Sequence, residues 1–240
     1  MQANTFNYFA LFLATFLVVA ILTPLAKKFA IHNGIVDSPN QAHKTHKEPV
    51  PYLGGVAIFF GIILVSYGTA IYKNFSERNF NLLTSVMAPA LVLGLIGLWD
   101  DINNISPLFR FVIQSIAGVF TALILISNNT VGNPTGSRSL DAIITSVWIV
   151  GICNSINFFD NVDGGAAGSI AIASTATFLI AFSGKQYFIS ALASVAAGAM
   201  FSFLIWNKSP ARIYMGDAGA LFLGIIVAVL TIRLKPDIQP

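Results

Sequence analysis

NYFALFLATFLVVAILTPLA, residues 7–26, contains no charged residue and runs directly into Lys27-Lys28. A membrane-spanning helix needs about 20 apolar residues, so this one segment already separates the chain from soluble folds. A cleaved signal peptide carries its positive charges before the apolar run. Here the order is reversed, and the segment reads as a retained transmembrane helix whose C-terminal end faces the cytoplasm. Seven further runs of the same kind follow, at 54–72, 80–99, 110–128, 140–154, 164–182, 186–206 and 218–234. The expected fold is all-α, a polytopic integral membrane protein with about eight spans in one domain covering 1–240.

Composition agrees. The chain is 55% hydrophobic and 10% charged, with a mean hydropathy of +0.76, whereas soluble domains carry about 25% charged residues. The net charge of +3 comes from dispersed Lys and Arg, with no block suggesting nucleic acid. The excess suits orientation in the bilayer and attraction to anionic head groups. Cys153 is the single cysteine, which excludes an internal disulfide and any multi-cysteine metal site.

Counting spans sorts the connections into two sets. One holds 27–53, 100–109, 155–163 and 207–217; the other holds 73–79, 129–139, 183–185 and the tail after 234. The first set contains seven of the ten acidic residues: Asp37, Glu48, Asp100, Asp101, Asp160, Asp163 and Asp217. With span ends included, this side carries seven Lys/Arg (27, 28, 44, 47, 110, 208 and 212) against six, four of them in the first loop, which places these loops in the cytoplasm. Scarce acids gathered on one membrane face suggest a divalent cation and a phosphorylated substrate.

Each loop has a chemical and a plainer reading. In the first, three prolines (Pro39, Pro49, Pro51) prevent one long helix, and Gly54-Gly55 permits close backbone approach to a ligand. Free N–H groups at that helix start favour an anion, with Lys44 and His46 as phosphate partners; the alternative is a basic loop that only sets topology. In the second, Asp100-Asp101 follows an apolar helix whose C-terminus disfavours anions. Mg²⁺ or a nearby lysine would offset that, or the pair is a solvated helix end. In the third, Asn154, Asn157 and Asp160 share a helical face at i, i+3 and i+6, followed by Asp163 and two glycines. They offer hard oxygen ligands for Mg²⁺ and hydrogen bonds for a nucleoside; the alternative is a polar interfacial turn. In the fourth, Asp217 lies between Gly216 and Gly219, with Lys208 and Arg212 nearby. It joins the other acids by parity, or simply caps its helix.

Together the strings DSPN…HKTHKEPVPYLGG, the Asp100-Asp101 pair, NSINFFDNVDGG and NKSPARIYMGDAG resemble the polyprenyl-phosphate N-acetylhexosamine-1-phosphate transferases. That family has 10–11 helices and acts on UDP-N-acetylmuramoyl-pentapeptide, on UDP-N-acetylglucosamine, or on dolichyl phosphate in eukaryotes. PVPYLGG is more similar to the UDP-N-acetylglucosamine branch. The resemblance implies an Mg²⁺-dependent transfer (Mn²⁺ as a substitute) from a UDP-N-acetylhexosamine to a polyprenyl phosphate in the cell membrane, with a homodimer as an option. It implies Asp217 and Asn157 as metal ligands, with Asp217 also catalytic. Asp100 and Asp101 would act on the lipid phosphate, and Asn154, Asp160 and Asp163 would line the nucleotide-sugar pocket. It also implies a fifth cytoplasmic loop, rich in histidine, beyond Pro240. The expectation is therefore a domain truncated before that loop, with a substrate-binding but inactive homologue as the alternative. An ion-coupled transporter or an intramembrane aspartyl protease would instead need acids inside the spans.

Overall fold

The computed structural model describes residues 5–37, 49–103, 105–128, 130–131 and 134–235. Among these are eight α-helices: α1 Thr5–His32, α2 Gly54–Tyr72, α3 Glu77–Asn103, α4 Pro107–Ser127, α5 Arg138–Phe159, α6 Gly165–Ser183, α7 Tyr187–Asn207 and α8 Gly216–Arg233. All eight are long and apolar enough to cross a membrane. The chain is thus an all-α, multi-pass membrane protein. Its one sheet among the described residues is a two-residue antiparallel ladder, β1 Val36–Asp37 with β2 Val50–Pro51, which clips together the ends of the first loop.

The helices extend further than their apolar runs predict, and the extra turns carry the polar residues that matter. α3 continues to Asn103, so Asp100 and Asp101 lie in its last turn rather than in a loop. α5 continues to Phe159 and takes in Asn154 and Asn157. The physical reason is local. Asn154 Nδ2 donates to the Val150 carbonyl and Ser155 Oγ to that of Gly151, each at 2.8 Å, so the helix satisfies its own polar side chains four residues back. At the start of α4, Ser106 caps the helix by accepting from Phe109 N, and Pro107 occupies the first position, where it loses no hydrogen bond.

α8 reads GDAGALFLGIIVAVLTIR, apolar around its whole circumference after the first turn. Such a helix belongs in the interior, and 78% of its span is buried, against 17% for α1. It packs on α3, α5 and α2, while α7 packs on α1 and α6. Small residues set its closest approaches. A Cβ on Gly97 of α3 would fall 2.3 Å from the Asp217 carbonyl oxygen. The α3–α8 crossing, which brings Asp101 to the end of α8, therefore requires glycine there.

Gly97→Ala should lower the thermal stability of the detergent-solubilised chain, in line with the ~1–3 kcal/mol cost of overpacking. Gly68→Ala, where a Cβ meets nothing within 4 Å, should hold or raise it, since alanine is the better helix former. Equal melting temperatures for the two variants would show that α3 and α8 do not approach as described.

Candidate active site

The first four N–H groups of a helix lack partners within the helix. At α8 three of them are met by carboxyl groups from α3 and from the residue that ends α5. Asp101 Oδ1 accepts from Asp217 N at 2.8 Å and its Oδ2 from Ala218 N at 3.1 Å. Asp160 Oδ2, just past α5, accepts from Gly216 N at 3.0 Å. Asp217 is therefore not the cap of its own helix. Its side chain projects away, with Oδ1 against the Asn157 carboxamide and Oδ2 against Arg110 Nη1.

Arg110, in the first turns of α4, links this group to the end of α3. The same Nη1 lies 2.8 Å from Asp100 Oδ2, and Asp100 Oδ1 accepts from Ile105 N at 2.8 Å. The offset expected for the Asp100-Asp101 pair is thus an arginine and a facing helix N-terminus, rather than a lysine. Asp217 keeps 18% of its side chain exposed and Arg110 27%, whereas Asp100 keeps 7%. Within this ion-paired trio, Asp217 and Arg110 are within reach of solvent, and Asp100 is buried.

The remaining candidates divide. Asp163 Oδ2 accepts from Ala211 N at 3.0 Å and so orders the loop before α8. Buried Asn207 strengthens the same junction: it accepts from Gly164 N and donates to the Ile213 carbonyl, both at 3.1 Å. Asn154 does not converge with Asn157 and Asp160; it is exposed and turned onto its own helix. Positions i, i+3 and i+6 drift by about 60° per step at 3.6 residues per turn, so the first and third diverge. Arg212 lies over the Trp206 ring, 5.8 Å from its centroid, on the exposed side of the loop.

Gly54 and Gly55 prove to be packing positions. Their N–H groups donate to the carbonyls of Tyr214 and Met215 at 3.0 and 2.7 Å, which removes them as free anion donors. A Cβ on Gly55 would lie 2.1 Å from Gly219 N, so the diglycine admits the backbone of the fourth motif instead of a ligand. Lys44 and His46, with Glu48, lie outside the described residues.

Two tyrosines flank the acids and were not singled out in the sequence. Tyr52 and Tyr214 have ring centroids 6.2 Å apart. Burial raises the Tyr52 hydroxyl above its ordinary value, and Asp37 raises it further. Burial, then Asp163, Asp37 and Asp160, push Tyr214 up to about 12. Asp160 is raised well above the usual carboxylate range. Burial is the main cause; the Gly216 N–H partly opposes it, and Asp101, Asp217 and Asp163 add to it. Its Oδ1 is buried with no hydrogen-bond partner among the described residues.

This constellation can be set beside known proteins. Residues 83–235 match the model of glycosyl transferase family 4. The chain belongs to that family. It is 32% identical over 226 residues to a probable undecaprenyl-phosphate N-acetylglucosaminyl 1-phosphate transferase of Bacillus subtilis, covering 92% of this chain and 61% of that one. It is 28% identical over 244 residues to a phospho-N-acetylmuramoyl-pentapeptide-transferase of Streptococcus uberis, covering 94% and 72%. A third relative, of the latter name, from Streptococcus equi subsp. zooepidemicus, is 26% identical over 205 residues and covered to 61%. The chain thus spans about three fifths of two of these three relatives. The family match takes in Asp100, Asp101, Arg110, Asn157, Asp160 and Asp217. Of these only Arg110 was not a sequence candidate. The Ser106-Pro107 start signal, which places it in the first turns of a helix on the motif side, was the clue available.

The raised Asp160 carboxyl has a pH consequence. A value above that of the unfolded chain means that protonated Asp160 contributes stability in full below about pH 4. That contribution is lost as pH rises through the folded-state value. Asp160→Asn keeps an acceptor for Gly216 and cannot ionise. Its melting temperature relative to the parent should therefore climb as pH rises from about 4, and parallel curves would contradict the assignment.

Proposed function

We propose that the chain carries the transferase chemistry named for its relatives: transfer of a sugar 1-phosphate from a UDP-N-acetylhexosamine, in our reading UDP-N-acetylglucosamine, to a polyprenyl phosphate. An oxygen of the lipid phosphate attacks the sugar-bearing phosphorus of the UDP-sugar. A new P–O–P linkage forms, the original one breaks, and UMP leaves with the bridging oxygen. The observation that carries this reading is the convergence of Asp217, Asn157 and Arg110, drawn from three helices, at one end of the bundle beside an accessible surface.

The donor set suits Mg²⁺, or Mn²⁺, of the kind that arrives with a diphosphate. Mg²⁺ is commonly held by one or two carboxylates plus substrate phosphates rather than by a protein cage. Among the described residues no three His, Cys, Asp or Glu side chains form such a cage, and Asp217 with Asn157 provides the sparser set. A half-turn of the Asn157 carboxamide presents its oxygen beside Asp217. Held there, the ion would neutralise charge at the diphosphate. Arg110 would orient an incoming phosphate oxygen through its N–H groups other than those on Nη1, while Asp100 keeps its guanidinium in place. Asp101 and Asp160 would act as positioning residues, fixing the turn from which Asp217 projects. Asp163 would hold the adjoining loop, and Lys44 and His46 would bind phosphate from the first loop.

A groove of about 400 Å³ supports a lipid acceptor. Its lining is apolar, from Leu22, Phe29, Leu53, Phe60, Leu98 and Ile102 among others. Leu98 and Ile102 belong to the turns of α3 that carry Asp101, so a polyprenyl chain lying there would bring its phosphate toward the acids. These acids sit in terminal helical turns at one end of the bundle, which speaks against a transporter with charges at mid-membrane. We place this end in the cytoplasm.

The test is incubation of the purified chain with Mg²⁺, undecaprenyl phosphate and radiolabelled UDP-N-acetylglucosamine. Lipid-linked label is expected, and Asp217→Ala should reduce it by ~100-fold or more, the scale seen when one transition-state stabilising group is removed. UDP-sugar binding without product would mark an inactive homologue, and neither binding nor product would overturn the proposal.

A further inference from the structure

The end of the bundle opposite the acids holds a second polar site. A cavity of about 710 Å³ opens between the start of α3, the end of α4, the start of α7 and the end of α8. Three cations border it, Arg78, Arg233 and Lys235, against one carboxylate, Glu77. Among the described residues Glu77 forms no ion pair with any of them.

Arg233 is the informative member. Its guanidinium lies over the Phe188 ring, 4.9 Å from the centroid. Stacking of this kind fixes the plane of the group and leaves its N–H edge to face a partner. Yet Nη1 is buried and has no hydrogen-bond partner among the described residues. A buried guanidinium nitrogen has lost water, and nothing in the described structure replaces it. The surroundings are also held in place. Gln186 Nε2 donates to the Lys235 carbonyl at 2.6 Å, and Lys235 N donates back to Gln186 Oε1 at 3.0 Å. That reciprocal pair of hydrogen bonds pins Lys235, two residues past α8, to the residue preceding α7, and keeps it at the rim.

We propose that this cavity binds a phosphate-bearing anion, with Arg233 donating from the floor and Arg78 and Lys235 from the rim. A planar, pre-oriented guanidinium with two flexible cations around it is matched to a tetrahedral oxyanion. The lining at the ends of membrane-spanning helices suits either a phospholipid head group from that leaflet or a free phosphate. The inference is independent of the transferase reading, because the site shares no residue with it and its test needs no turnover.

Thermal stability of the chain in neutral detergent would be measured with inorganic phosphate against chloride of equal ionic strength, and with phosphatidylglycerol against phosphatidylcholine. A ligand that binds only the folded state raises its stability, so a gain of several degrees is expected in at least one arm. Stabilisation by inorganic phosphate assigns a site for free phosphate; stabilisation by phosphatidylglycerol alone assigns a head-group site. Arg233→Gln should abolish the gain, while Lys73→Gln, on the same face but outside the cavity, should keep it. If Arg233→Gln does not fold, the double variant Arg78→Gln/Lys235→Gln, changed only at exposed rim positions, should weaken the gain at least tenfold in half-saturating ligand. No gain in either arm, or an equal gain in the variants, overturns the proposal.

Discussion

The arrangement depends on how the buried N-terminus of α8 satisfies its backbone. A central helix that is apolar beyond its first turn, and whose own Asp217 side chain projects away, must find acceptors for its first N–H groups on other elements. Met215, at the cap position, supplies none. The acceptors come from α3 and from the end of α5, as Asp101 and Asp160. The positive end of the α8 dipole makes this the favourable place for carboxylates, which the negative C-terminal ends of α3 and α5 otherwise disfavour. α3, the end of α5 and α8 are thereby tied at one point, and glycine at position 97 suits the closeness of α3 to α8 there, while Gly55 meets the closeness of α2 to the same helix start.

Once Asp101 and Asp160 are committed to the helix end, the division of labour among the acids is constrained. Asp100 is occupied by Arg110 and the Ile105 amide. Asp217, one residue into α8, is carried outward by the helix itself and meets Arg110 and Asn157 at an accessible surface. A carboxylate, a carboxamide and a guanidinium are held together there by three different helices, and the proposed phosphate chemistry rests on that fixed arrangement. Membership of glycosyl transferase family 4 agrees with this polarity of the site, and the sugar-phosphate reaction is the reading that uses it most fully.

The spans were legible because lipid-facing and core-facing residues are both apolar, so runs such as 7–26 and 218–234 need no periodicity to stand out. Counting spans also brought Asp100, Asp101, Asp160 and Asp217 to one face, as found. The ends of α3 and α5 were not legible, since polar residues that bond back to their own helix look like the start of a loop. The bridge from Asp101 to α8 was hidden for a different reason: it joins positions 116 and 117 residues apart. Local patterning carries no trace of such a contact. The diglycine at 54–55 was readable as a demand for closeness, but the element that approaches is the chain's own backbone at 214–219.

The most direct test of this account is amide hydrogen exchange across residues 216–219, combined with thermal melting, in Asp101→Ala and Asp217→Ala. Loss of a helix cap costs about 1 kcal/mol, more where the acceptor is charged. Asp101→Ala should therefore melt lower and exchange faster at the first turn of α8, whereas Asp217→Ala, which leaves both N–H bonds to Asp101 in place, should do neither. Unchanged exchange and melting in Asp101→Ala would contradict the claim that α8 is capped from α3.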